Sequence, residues 1–251
     1  MSGHSKWANI KHKKDAADKK KGKIFSRYAK EIMVAAKDGG GDPNSNPRLR
    51  SALTAARAQN MPNANIERAI KKGLGELGDV VFTEIVYEGY APGGVAVLIE
   101  CLTDNRNRSA SEVRTALDRN NGSLAASGAV SRLFSRKAHF LITGDNADED
   151  KLMELVLDAG AEDIEVEDGI AEIWGAPESF QEIADILEKA GIACEEAGVV
   201  RKPEMIVEIK DAKVAGQIVK LIDRLEDLDD VQEVFANYEI ADEIADQIEE
   251  E

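Results

Sequence analysis

The sequence predicts an α+β protein: an N-terminal three-helix bundle followed by two α/β sandwich domains, the second a ferredoxin-like βαββαβ unit inserted in the first. Three observations predict it. The apolar period changes from helical to alternating at Val80. Residues 138–200 carry six elements in the order βαββαβ. The segments before and after them, 80–120 and 205–236, are each too short to cover a sheet alone.

Residues 1–23 hold only Trp7 and Ile10 as large apolar side chains, so the segment is expected to be an arm that does not fold alone. A helix is predicted over Ile24–Lys37, where Ile24, Tyr28, Ile32 and Ala35 recur at helical spacing. The run from Gly39 to Pro43 breaks it. A second helix opens near Pro47, with Leu49, Leu53 and Ala56 inward. A third runs from about Pro62 to Lys72, with Ile66, Ala69 and Ile70 inward and Gly73 as its stop.

Val80–Tyr90 and Val95–Thr103 read as a hairpin turning at Ala91–Gly94. A helix follows at about Arg106–Asn120, and the capping-box spacing of Ser109 and Glu112 allows a start at Ser109. The inserted unit reads as strand 138–143, helix 148–159, strands 163–167 and 170–174, helix 179–190 and strand 193–200. Strand 205–210, helix 213–228 and strand 231–236 are expected to complete the first sheet. The resulting division is arm 1–23, bundle 24–78, split domain 79–130 with 204–238, inserted acidic domain 131–203 and acidic tail 239–251. In the tail Ile240, Ile244 and Ile248 recur every four residues, which fits a short helix or a frayed end.

The net charge of −16 hides a polarity. Residues 1–72 carry 17 Lys and Arg against 6 Asp and Glu, a balance of +11; the remainder carries −27. A basic head suits a polyanion and an acidic body repels one. Residues 140–200 hold 2 bases and 18 acids, so this face is expected to point outward or meet a protein partner. The longest apolar runs, Ile32–Ala36 and Val95–Ile99, have five residues, far short of the about 20 that span a membrane. No membrane partner is expected. Cys101 and Cys194 lie in separate apolar segments, which fits a reduced, cytoplasmic setting.

Catalytic signals are missing from the sequence. Gly73, Gly75 and Gly78 match a dinucleotide fingerprint, but a helix precedes them and a strand follows, the reverse of the required context. His4, His12 and His139 have no metal-ligand spacing. The acids of 145–150 suit a helix start. No enzyme, cofactor or metal is expected.

The positive evidence is basic. Lys6, Lys11, Lys13, Lys14, Lys19, Lys20, Lys21 and Lys23 line the arm, with Trp7 and His12 among them. Lysines neutralise phosphates without reading bases, and Trp7 offers a stacking surface. Arg27, Lys30, Arg48, Arg50 and Arg57 extend this set into the bundle, backed by Arg68, Lys71 and Lys72. Arg106 and Arg108 stand at a helix start that disfavours cations; either a bound phosphate or a pair with Asp104 would explain them.

Several strings resemble the YebC/PmpR family: Gly3-His4-Ser5-Lys6-Trp7-Ala8-Asn9-Ile10-Lys11-His12, Gly39-Gly40-Gly41-Asp42-Pro43, Asn46-Pro47-Arg48-Leu49-Arg50, Tyr87-Glu88-Gly89-Tyr90-Ala91-Pro92-Gly93-Gly94, Thr103-Asp104-Asn105-Arg106-Asn107-Arg108 and Asp229-Asp230-Val231-Gln232-Glu233-Val234. The resemblance spans the chain. It implies a three-domain, non-enzymatic, cytoplasmic regulator of gene expression that binds DNA. The same family includes a mitochondrial translational activator, which implies an alternative partner, rRNA or tRNA on the ribosome. A protein-only interaction module acting through the acidic face is the third reading.

Overall fold

The computed structural model describes residues 17–78, 81–241 and 243–244, with side chains from residue 22 onward apart from residue 58. The described residues fall into two compact units, one spanning 17–131 with 211–236, the other 132–210 with the residues after 236.

The first unit opens with three helices, α1 (Ala17–Gly39), α2 (Pro47–Ala58) and α3 (Asn63–Gly73). Helix α1 begins seven residues before the expected Ile24 and takes Lys19–Lys23 out of the expected arm. Ala and Lys are strong helix formers, and Gly22 alone does not stop them. Ile32, Ala35 and Ala36 pack with Leu49, Leu53, Ala56, Ile66 and Ala69 in one core. Buried Asn46 joins the helices: its side chain accepts from Leu49 N (3.0 Å) to cap α2 and donates to Ala35 O (2.7 Å) and Gly40 O (2.8 Å).

Gly73 is the last residue of α3, as expected, and serves a second purpose. A Cβ there would lie 2.3 Å from Met33 O and 3.0 Å from Ala36 Cβ, so the close approach of α3 to α1 requires glycine. Gly73→Ala is expected to cost about 1–3 kcal/mol, since backbone must move to admit the methyl group. A denaturant midpoint unchanged from the parent would contradict this packing.

The sheet of this unit has the order β3-β1-β2-β9, from β1 (Thr83–Tyr90), β2 (Ala96–Thr103), β3 (Ser123–Leu124) and β9 (Val231–Ala236). All three pairings are antiparallel. Helices α4 (Arg106–Arg119) and α7 (Ala212–Glu226) complete it. Central β2 is buried at every residue except half-buried Glu100, as a strand covered on both faces must be. The cap of α4 is Asn105, whose side chain accepts from Arg108 N; Ser109 is buried one turn inside.

The 205–210 strand departs from expectation. It does not join this sheet. Strand β8 (Val207–Ile209) instead pairs in parallel with β10 (Tyr238–Ile240), which runs into the expected tail. β3 and β9 already occupy the outer sides of β1 and β2, and Ile209 and Tyr238 find burial with each other's strand.

The βαββαβ order holds between β3 and α7. Strands β4 (Phe134–Thr143), β5 (Ala161–Glu167), β6 (Ile170–Gly175) and β7 (Glu196–Pro203) form a sheet of order β5-β6-β4-β7, antiparallel throughout. Helices α5 (Glu149–Val156) and α6 (Phe180–Lys189) cover one face through Leu152, Val156, Ile183 and Leu187, against Ala138, Phe140, Ile142 and Ile173. Asp168 and Gly169 turn the β5–β6 hairpin with positive φ (50° and 77°). Asp148 caps α5 by accepting from Lys151 N.

Candidate nucleic-acid interface

The candidate residues singled out from the sequence divide into three groups. Lys6, Trp7, Lys11, His12, Lys13 and Lys14 lie outside the described residues. Lys19, Lys20 and Lys21 lie on the first turns of α1, their side chains likewise outside. The rest have defined surroundings.

Lys23, Arg27 and Lys30 recur at i, i+4 and i+7 on α1, which places them on one stripe. That stripe meets an acidic edge of its own unit. Lys23 lies 3.7 Å from Asp227, Arg27 Nη2 3.0 Å from Glu233, and Lys30 Nζ 3.0 Å from Asp230. Lys30 also donates to Asp229 O at 2.7 Å. Burial lowers the Lys23 pKa despite that neighbour. Arg48 is shared among Glu31, Asp38 and Glu84. Its burial favours the neutral form, but the bonds to Glu31 and Glu84 prevail and raise its pKa. Arg50 donates to Pro43 O (3.0 Å) and Asn44 O (3.1 Å), bracing the α1–α2 loop.

Arg108 is engaged by two acids. It bonds Asp104 (2.8 Å) and Asp230 (2.6 Å), so the ion pair, extended by Asp230, is the realised explanation of its place at the helix start. Arg106 is exposed, has no ion pair among the described residues, and offers only its carbonyl, to Tyr87 Oη (3.2 Å). Arg57, Arg68 and Lys71 are also exposed without ion pairs among the described residues.

The residue that organises this arrangement, Asp230, was not among the expected site residues. Its side chain is 3% exposed and receives Thr103 Oγ1 (2.9 Å), Ser109 Oγ (2.8 Å), Lys30 Nζ (3.0 Å) and Arg108 Nη2 (2.6 Å). Burial alone would raise its pKa; those donors outweigh it and hold the carboxyl at about 2. The signal in the sequence was an acid directly before an apolar strand, in a string already quoted for its resemblance. Beside this hub opens a groove of about 610 Å³ lined by Lys23, Lys30, Phe82 and Arg108, but also by Asp104, Glu112 and Asp229. The acids offset the cations, so the groove is not a bare phosphate site.

A second buried acid was also missed. Glu88 on β1 accepts from the backbone N–H groups of Gly128 (2.6 Å), Val130 (2.6 Å) and Ser131 (3.0 Å). Burial raises its pKa, yet these three donors win and lower it. Glu88 thereby fixes the chain's exit from the first sheet towards β4.

Among the described residues no three His, Cys, Asp or Glu side chains are placed to hold a metal ion. No described helix is long and apolar enough to cross a membrane.

Comparison with known proteins agrees with this architecture. Residues 5–76 match the model of the TACO1/YebC protein N-terminal domain, and 82–238 that of the TACO1/YebC second and third domain. A probable transcriptional regulatory protein of Syntrophobacter fumaroxidans is 51% identical over 248 residues, covering 99% of this chain and all of that one. One of the same description from Geobacter sulfurreducens is 52% identical over 243 residues, covering 97% and 98%. The crystal structure of a conserved hypothetical protein from Aquifex aeolicus superposes with a TM-score of 0.83 at 47% identity, covering 92% of this chain and 96% of that one.

Proposed function

The chain belongs to the TACO1/YebC family, and from that premise we propose that it is a non-enzymatic, cytoplasmic regulator of gene expression that binds nucleic acid through its basic head. The carrying observation is the division of labour among the cations. Lys23, Arg27, Lys30, Arg48 and Arg108 answer acids of their own unit. Arg57, Arg68, Lys71 and Arg106 are exposed without ion pairs among the described residues, and with the lysines of residues 6–21 they are the cations we assign to a polyanion. Such contacts neutralise phosphates and position the protein without selecting sequence.

The names of the relatives favour DNA and transcription. One observation favours ribosomal RNA as a second reading: Arg48 and Arg50 on α2 are engaged by Glu31, Asp38, Glu84 and the carbonyls of Pro43 and Asn44, which takes two arginines of that helix away from base edges. Recognition by backbone and shape suits structured RNA. Crosslinking in cells, followed by sequencing of both DNA and RNA, decides between them. Enrichment of promoter DNA supports the first reading; enrichment of rRNA without promoter preference replaces it.

The division also predicts a separation of effects. Arg57→Glu, Arg68→Glu and Lys71→Glu together are expected to weaken nucleic-acid binding by about tenfold or more at moderate salt, at most about 0.5 kcal/mol per site being lost in stability. Unchanged binding in a titration would remove α2 and α3 from the interface.

A further inference from the structure

Outside the head, one pair of helices departs from the acidity of the body. Helices α4 and α7 together carry 7 Lys and Arg against 4 Asp and Glu, whereas α5 and α6 carry 2 against 6. The two basic helices belong to one compact unit. At their C-terminal ends lies a groove of about 380 Å³ lined by Arg119, Asn120, Lys220, Asp223, Arg224 and Asp227. Arg119, Lys220 and Arg224 are exposed there without ion pairs among the described residues. Of the two acids, Asp227 already faces Lys23 on α1, 3.7 Å away. The groove therefore borders the helix by which the basic head enters the fold.

Cations in a last turn suit the negative end of a helix, which accounts for Arg119 and Arg224. It does not account for Lys220, which stands before the last turn of α7. Cations brought to one groove repel one another, and an anion placed among them turns that repulsion into attraction. Guanidinium groups at two of the three positions suit phosphate oxygens, to which they donate in pairs. We propose that this groove seats backbone phosphates of a nucleic acid, as a second contact on the body beside the basic head. This rests on the proposed nucleic-acid binding and deepens it: one polyanion held by the head continues across the ends of α4 and α7. Such a seat adds affinity and orientation without selecting sequence.

The test uses the full chain. Arg119→Gln, Lys220→Gln and Arg224→Gln together are expected to lower affinity for a duplex oligonucleotide or a structured RNA by about tenfold at moderate salt, and to make the slope of log affinity against log salt on duplex DNA shallower by about 2–3. Lys151→Gln with Lys189→Gln, exposed lysines of α5 and α6, is the charge control and is expected to change affinity less than twofold. In the parent, the side-chain Nε–H resonances of Arg119 and Arg224 are expected to shift as the oligonucleotide is added. A parent that binds while the triple variant binds equally well overturns the groove and leaves the proposed function standing. So does a control that loses as much affinity as the triple variant, or a parent whose two arginine resonances stay unmoved by bound nucleic acid. If a poly-glutamate peptide moves those resonances and nucleic acid does not, the groove belongs to an acidic protein segment and the proposal fails. A parent that binds neither nucleic acid overturns the proposed function, and this occupant with it.

Discussion

Asp230→Ala is expected to cost about 3 kcal/mol of folding stability. The carboxylate is 3% exposed and its partner Lys30 16% exposed, whereas Arg108 is 43% exposed and can rehydrate. Removing the acid therefore strands one poorly solvated ammonium and leaves the hydroxyls of Thr103 and Ser109 without their acceptor. Adding Lys30→Met should recover part of the loss, because the stranded charge goes with it. The same carboxylate sets an acid limb. Its pKa is about 2 when folded, below the ordinary 3.8, so its stabilisation is complete above about pH 4 and disappears as pH falls towards 2. Glu88, also lowered, acts in the same direction. Denaturant melts of parent and Asp230→Asn across pH 2–6 check this. The variant should lose less stability than the parent between pH 4 and pH 2. Equal slopes would mean that Asp230 is not the depressed carboxyl.

Replacing Lys11, Lys13, Lys14, Lys19, Lys20 and Lys21 by Glu is expected to lower affinity for any nucleic acid by on the order of 10²–10³-fold near physiological salt, broadly across sequences. Each lost phosphate contact also removes about 0.9 from the slope of log affinity against log salt on duplex DNA. None of the six is among the described core residues, so the fold is expected to persist. A variant that binds as tightly as the parent would place the binding surface elsewhere.

Periodicity made most of the fold legible. Alternation and short apolar runs bounded by turn residues located β1, β2, β4 and β6, and the order of elements alone implied the ferredoxin-like sheet. What it could not show was the pairing of β8 with β10, because a three-residue strand carries too short a pattern to indicate its neighbour. Nor could it show that Gly73 answers Met33 O across a helix contact, which is a property of two distant segments. The site was less legible. Composition identified a basic head correctly as a charge pattern, but a count of lysines and arginines does not tell which are neutralised at home. Lys30 and Arg108 looked like phosphate ligands until Asp230, about 120 positions or more away along the chain, was brought between them. Arg48 was concealed likewise by Glu84 on the hairpin strand.

Equilibrium binding of the full chain to duplex DNA and to structured RNA over a salt series decides whether the basic head makes this chain a nucleic-acid binder. Measurable binding at low salt to at least one of the two is expected, with log affinity falling linearly against log salt at a slope on the order of −5 or steeper on duplex DNA. No binding to either at low salt, or an affinity that does not change with salt, would contradict it.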